Sequence, residues 1–105
     1  MINATVNRVV DGDTLEVTAK FKVRMDFIDA PETRGVEKPK GVVSKEWLKE
    51  RIEGQTVQLD IKTKDMYDRF LSVVYQEGVN INGEMVKHNL AEIYSPLNHN
   101  DGQQD

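Results

Sequence analysis

No cysteine occurs among the 105 residues, so neither a disulfide framework nor a thiolate metal site holds this fold together. No apolar run approaches the length of a membrane span, so the chain reads as soluble and without a membrane partner. Met1-Ile2-Asn3 opens without a basic-then-apolar leader, which leans toward an intracellular chain; a secreted one stays open if a leader is removed from a precursor. Histidine is scarce: His88 and His99 do not stand at ligand spacing, and both read as solvated. Basic charge is short too, with 14 Lys and Arg against 18 Asp and Glu and a formal net charge of −4. That balance argues weakly against broad, non-specific attraction to nucleic acid. The deficit is uneven, because between Thr33 and Arg51 six basic residues (Arg34, Lys38, Lys40, Lys45, Lys49, Arg51) face three acidic ones (Glu37, Glu46, Glu50). A local basic rim survives a negative total.

What is present suffices for one compact domain with one core. There is no internal repeat, and the only low-complexity stretch is a polar tail at 98–105, expected to be disordered beyond a domain of residues 1–97. From Ile2 to Ile28 apolar residues alternate with polar ones, and Asp11-Gly12 breaks the run at a tight turn where glycine accepts a positive φ. This predicts a three-stranded meander. Val43 to Glu53 switches to helical spacing, with Val43, Trp47, Leu48 and Ile52 on the apolar face. Ser44 is placed to cap that helix, Val43 and Leu48 to staple it, and Gly54 to terminate it. Two strands follow, Thr56 to Lys62 with Val57, Leu59 and Ile61 inward, and Arg69 to Gln76. A shorter helix runs from about Asn82 to His88, with Asn89 as its left-handed cap. The fold class is mainly β with α: a five-stranded barrel of the oligonucleotide/oligosaccharide-binding type, in the order β-β-β-α-β-β-α.

The stretch V-R-M-D-F-I-D-A-P-E, residues 23 to 32, carries the chemistry. Arg24 and Asp29 have opposite strand parity, so the strand must end or bend near Ile28 for both to act in one place. Pro31 supports this, since it cannot donate to a ladder and biases Ala30 toward extended backbone. Asp29 and Glu32 then turn back toward the barrel. A second carboxylate source is V-D-G-D-T, where Asp13 starts the strand that lies beside the end of the third, so Asp13 and Asp29 can meet. Such an all-oxygen set suits Ca²⁺ or Mg²⁺. Arg24 is a candidate for bidentate phosphate binding beside it, and D-M-Y-D-R supplies Arg69 with Tyr67 as a neighbour. Together these make a phosphodiester hydrolysis site. Each motif alone is an ordinary turn or surface pair, Trp47 reads as core, and the alternating charges from Lys45 to Glu53 read as a solvated face.

In their order, V-D-G-D-T, R-M-D-F-I-D-A-P-E-T, G-V-E-K, Y-D-R-F-L and N-G-E-M-V-K-H-N-L-A make a sequence that resembles the staphylococcal nuclease (thermonuclease) family from about Val6 to Ile93. The resemblance implies a five-stranded barrel and Ca²⁺-dependent cleavage of DNA and RNA, leaving 3′-phosphates. It implies Asp13 and Asp29 as metal carboxylates, with the backbone carbonyl of Ala30, where the family usually has threonine, completing the protein ligands. Glu32 matches the general base or water-orienting group, and Arg24 and Arg69 match the arginines that hold the phosphate. Tyr67 matches a tyrosine near the nucleotide phosphate, and Tyr94 lies one position from a base-stacking tyrosine. Met66 departs from the family's lysine, Asp26 from an apolar residue, and the sequence is expected to stop before the family's third, C-terminal helix. That last departure makes a partner, a dimer or lower stability an expectation, and the oligomeric state stays open. Two other readings stay open as well: a barrel that binds nucleic acid or a protein without cleaving, and a purely structural domain, which predicts no melting shift with Ca²⁺.

Overall fold

A computed structural model describes residues 1–18 and 21–94. The first strand, β1 (Ile2–Asp11), is followed by β2 (Thr14–Val17) and β3 (Lys22–Met25). Register shifts in β1 between Val6 and Arg8 and between Val9 and Asp11 break its parity, so Val6 and Val9, three apart, are both buried. Such bulges bend a strand, and here they let the sheet curl. β1 pairs with β2 on one side and with β5 (Thr56–Lys64) on the other, and β2 pairs with β3. β5 pairs antiparallel with β6 (Arg69–Gln76), and β6 returns in parallel to β3. Leu15, Val23, Met25, Leu59 and Val74 are sealed inside this curl, with Leu48 and Ile52 packed on it from the helix α1 (Lys38–Ile52).

Three two-residue strands complete the set: β4 (Ile28–Asp29), β7 (Val79–Asn80) and β8 (Glu92–Ile93). β4 pairs with β8, which ties the chain after the second helix, α2 (Ile81–Lys87), back to the segment that carries Asp29. Among the described residues there are these two α-helices and a 3₁₀ turn at Gly35–Glu37. The expected polar tail, and the stretch in which a third helix would be sought, lie outside the described residues.

Several local expectations change. α1 starts five residues before Val43, with Pro39 in its first turn, where a missing N–H costs nothing. Its buried positions are Gly41, Ser44, Leu48 and Ile52, so Val43 is exposed, and Ser44 is no cap. The Ser44 hydroxyl instead donates to the Leu90 carbonyl at 2.6 Å, joining α1 to the loop after α2. Gly12 does not have a positive φ; Phe27, Gly54 and Asn89 do. A Cβ on Gly12 would lie 2.8 Å from both the Ala30 and Ser44 Cβ atoms, so close approach of three segments demands the glycine. Gly41 has a parallel role, since a methyl there would collide with the Glu32 carbonyl. Ile61 points outward rather than inward, next to a register shift in β5. Gly54 and Asn89 end their helices in left-handed backbone as expected, and Trp47 packs partly buried against the core.

Candidate active site

The strand bends two residues earlier than parity alone suggests. β3 stops at Met25, and Asp26–Phe27 form a turn with Phe27 at φ +67°. Arg24 braces that turn from inside: its Nη1 donates to the carbonyls of Met25 at 2.6 Å and Ile28 at 2.8 Å. Its Nη2 lies 3.5 Å from both an Asp13 and an Asp29 carboxylate oxygen. The two aspartates therefore do converge, with one guanidinium facing both.

Asp13 is buried behind this arrangement in the two-residue turn between β1 and β2. Its Oδ2 accepts the Ala30 N–H at 2.7 Å and its Oδ1 accepts the Thr14 hydroxyl at 3.1 Å. Asp29 sits at the surface, its side chain 59% exposed. Partial burial and the negative charge of Asp13 raise its carboxyl above the ordinary value, against the opposing pull of Arg24. A third carboxylate, not singled out in the sequence, belongs to the group. Burial and contact with Asp13 push Asp11 up to about 6. The V-D-G-D-T motif contained that signal, because the two-residue turn folds Asp13 back beside the Asp11 that precedes it, with the Asp13 N–H on the Asp11 Oδ1 at 3.4 Å.

Arg69 is held from the other side. Asp65 accepts the Arg69 backbone N–H at 2.9 Å, its Nε at 2.8 Å and the Tyr67 N–H at 2.9 Å. The Asp68 beside Arg69 pairs with Lys64 instead. The Arg69 guanidinium also lies 5.3 Å from the Tyr67 ring centre. Burial would raise the Asp65 carboxyl, but the hydrogen bonds from Arg69 and Tyr67 outweigh it and hold the group below its ordinary value. An acid with a depressed folded-state value stabilises above its unfolded pKa, and that contribution is lost as pH falls through the folded value. Asp65→Asn is therefore expected to lower the melting temperature at neutral pH, with the gap from wild type closing below about pH 4. A pH series of melting curves for both proteins checks this, and a gap constant down to pH 3 would contradict it.

Arg24, Asp29, Tyr67, Arg69 and Tyr94 line one open cleft of about 550 Å³. Ala30 lies in an adjoining hollow of about 260 Å³ that shares Asp29 and includes Lys40. Glu32 lines neither hollow; it is exposed at the edge, its N–H bonded to Glu37 and its carbonyl against Gly41. Its charge is felt at both Asp11 and Asp29. Among the described residues no three metal-capable side chains lie close enough to hold an ion by themselves. The donor chemistry fits a hard cation in part, since Asp29 faces both hollows and their open space leaves room for the waters that Ca²⁺ and Mg²⁺ accept as ligands.

Two arginines, each held by carboxylates, thus line one cleft of a curled, oligonucleotide-binding-like β-domain. This chain belongs to the staphylococcal nuclease homologue family, whose model matches residues 22–105, so Asp11 and Asp13 precede the matched span. It is 41% identical over 98 residues to an "Uncharacterized endonuclease" of Haemophilus influenzae, covering 90% of this chain and 53% of that protein. A protein of the same description from Escherichia coli O157:H7 is 37% identical over 101 residues, covering 92% of this chain and 64% of that one. Endonuclease YncB of Bacillus subtilis is 30% identical over 102 residues, 89% of this chain and 48% of its own length. The chain thus spans about half to two thirds of these relatives.

Proposed function

We propose that this chain is a nuclease: a Ca²⁺-dependent phosphodiesterase that hydrolyses single-stranded DNA and RNA with little sequence preference and leaves 3′-phosphates. The carrying observation is the single cleft that holds Arg24 and Arg69, each guanidinium set by carboxylates, beside Asp29 and under exposed aromatic side chains. Relatives named as endonucleases support the nuclease part of this reading. Asp13, Asp29 and the Ala30 carbonyl would hold the cation. Bound there, a hard divalent ion supplies Lewis-acid polarisation of a phosphoryl oxygen and makes water more acidic.

The remaining roles belong to the chain. Arg69, its fork fixed by Asp65, binds non-bridging phosphate oxygens and stabilises the charge that grows on them. Arg24 acts beside it. Glu32, at the edge with its carboxylate in water, orients the attacking water and takes its proton. Tyr67 and Tyr94 contact the nucleotide. One observation favours a second reading, a non-catalytic binding module: the Arg24 guanidinium is already engaged by Met25, Ile28, Asp13 and Asp29. Cleavage of a fluorophore-quencher single-stranded DNA in Ca²⁺, in Mg²⁺ and in chelator tests the proposal. The expected result is signal in Ca²⁺ that chelator abolishes; silence under every condition would favour the binding module.

A further inference from the structure

The family's motif leaves one turn unexplained. Phe27 is a bulky residue in left-handed backbone, a conformation such side chains seldom adopt without a surrounding structure that over-determines it. The surroundings do so. Asp26 N donates to Ser72 O at 2.9 Å, Asn82 Nδ2 donates to Asp26 O at 2.8 Å, and Tyr94 N donates to Phe27 O at 2.7 Å. The Asp26 carboxylate accepts the Phe27 N–H at 3.0 Å, and Arg24 holds the carbonyls on either side. The acid at position 26, where β3 has already ended, thus serves the turn. Its effect is to place Ile28 in the core and leave Phe27 50% exposed. Phe27 lines the cleft that contains Arg24 and Arg69 and also the shallow groove behind it. Packing alone would not need a large ring in strained backbone at the mouth of a cleft lined by two arginines.

We infer that Phe27 is a base-stacking, substrate-contacting residue that selects unpaired nucleotides, an inference that rests on the nuclease reading. A phosphate held by the arginines carries its neighbouring nucleoside to the rim, where the ring offers an apolar face to any base. A base inside a duplex has no free face to give. Phe27 thus adds to the contacts of Tyr67 and Tyr94 in the same cleft and favours unpaired bases of any sequence.

A dithymidine substrate with one phosphodiester, and its analogues with an abasic sugar on either side, test this. Phe27→Asn keeps a residue that tolerates left-handed backbone and removes the ring. It is expected to raise the KM for dithymidine about tenfold with kcat within about twofold. On one of the abasic analogues its KM should equal that of wild type, and Phe27→Tyr should restore tight binding. An unchanged KM for dithymidine, or an equal rise on both abasic analogues, would overturn the inference. Should Phe27→Asn fail to fold, Phe27→Gly gives the same comparison. If wild type cleaves neither these nor the longer single-stranded DNA, the nuclease reading fails on its own; equilibrium binding of labelled dithymidine and its analogues still decides the role of Phe27.

Discussion

Glu32→Gln is expected to lower the cleavage rate at least about a hundredfold, the range for loss of a general base, while the melting temperature stays within about a degree. The asymmetry follows from where the residue sits. Its backbone is structural, with the N–H on Glu37 and the carbonyl packed against Gly41 at the start of α1. Its side chain is exposed, and among the described residues its carboxylate makes no hydrogen bond or ion pair. An amide of the same shape therefore leaves the backbone contacts alone and removes only the ability to take a proton. Affinity for single-stranded DNA, read by fluorescence anisotropy, should change little. Cleavage retained within a few-fold would take Glu32 out of the proton-transfer role. A large fall in melting temperature would show instead that its side chain supports the loop.

How much of this was legible beforehand depends on which residues carry the signal. The strands and their core could be read, because Leu15, Val17, Val23, Val57 and Leu59 are apolar residues at strand spacing and all are buried. The first turns of α1 could not. Its core-facing positions there are Gly41 and Ser44, chosen for close approach to Glu32 and Gly12, so they carry no hydrophobic pattern. The apolar spacing therefore begins only at Val43, which is itself exposed.

The site divides in the same way. Asp13, Arg24, Asp29, Glu32 and Arg69 stood out as charges in recognisable order. Their partners did not, because hydrogen bonding in a turn has little sequence signature. Asp65 organises Arg69 from four residues away, whereas the adjacent Asp68 does not. Asn82 fastens α2 to β6 and to the Asp26 turn through bonds to Val74, Ser72 and Asp26, contacts up to 56 residues apart in sequence. Local pattern gives the charged groups; their orientation comes from long-range polar contacts.

Arg24→Lys is expected to damage stability and activity together. The guanidinium uses its planar fork to reach two carbonyls with Nη1 while Nη2 faces two carboxylates, and its side chain is only 14% exposed. A lysine ammonium is a compact point charge that cannot span these positions, so the carbonyls of Met25 and Ile28 lose a shared donor in a part-buried place. The loss is about 1–3 kcal/mol, toward the lower end because Asp29 is largely in water. For a domain of this size that is a fall of several degrees in melting temperature. The turn that sets Asp29 and Phe27 slackens with it, and cleavage should drop at least about a hundredfold if Arg24 also stabilises charge on the phosphate. The two effects separate the roles this residue combines. A lowered melting temperature with kcat/KM preserved would make Arg24 a brace for the turn and leave Arg69 as the phosphate ligand. A fall in kcat/KM persisting at temperatures where the variant is fully folded would show that the same guanidinium that spans Asp13 and Asp29 also meets the substrate.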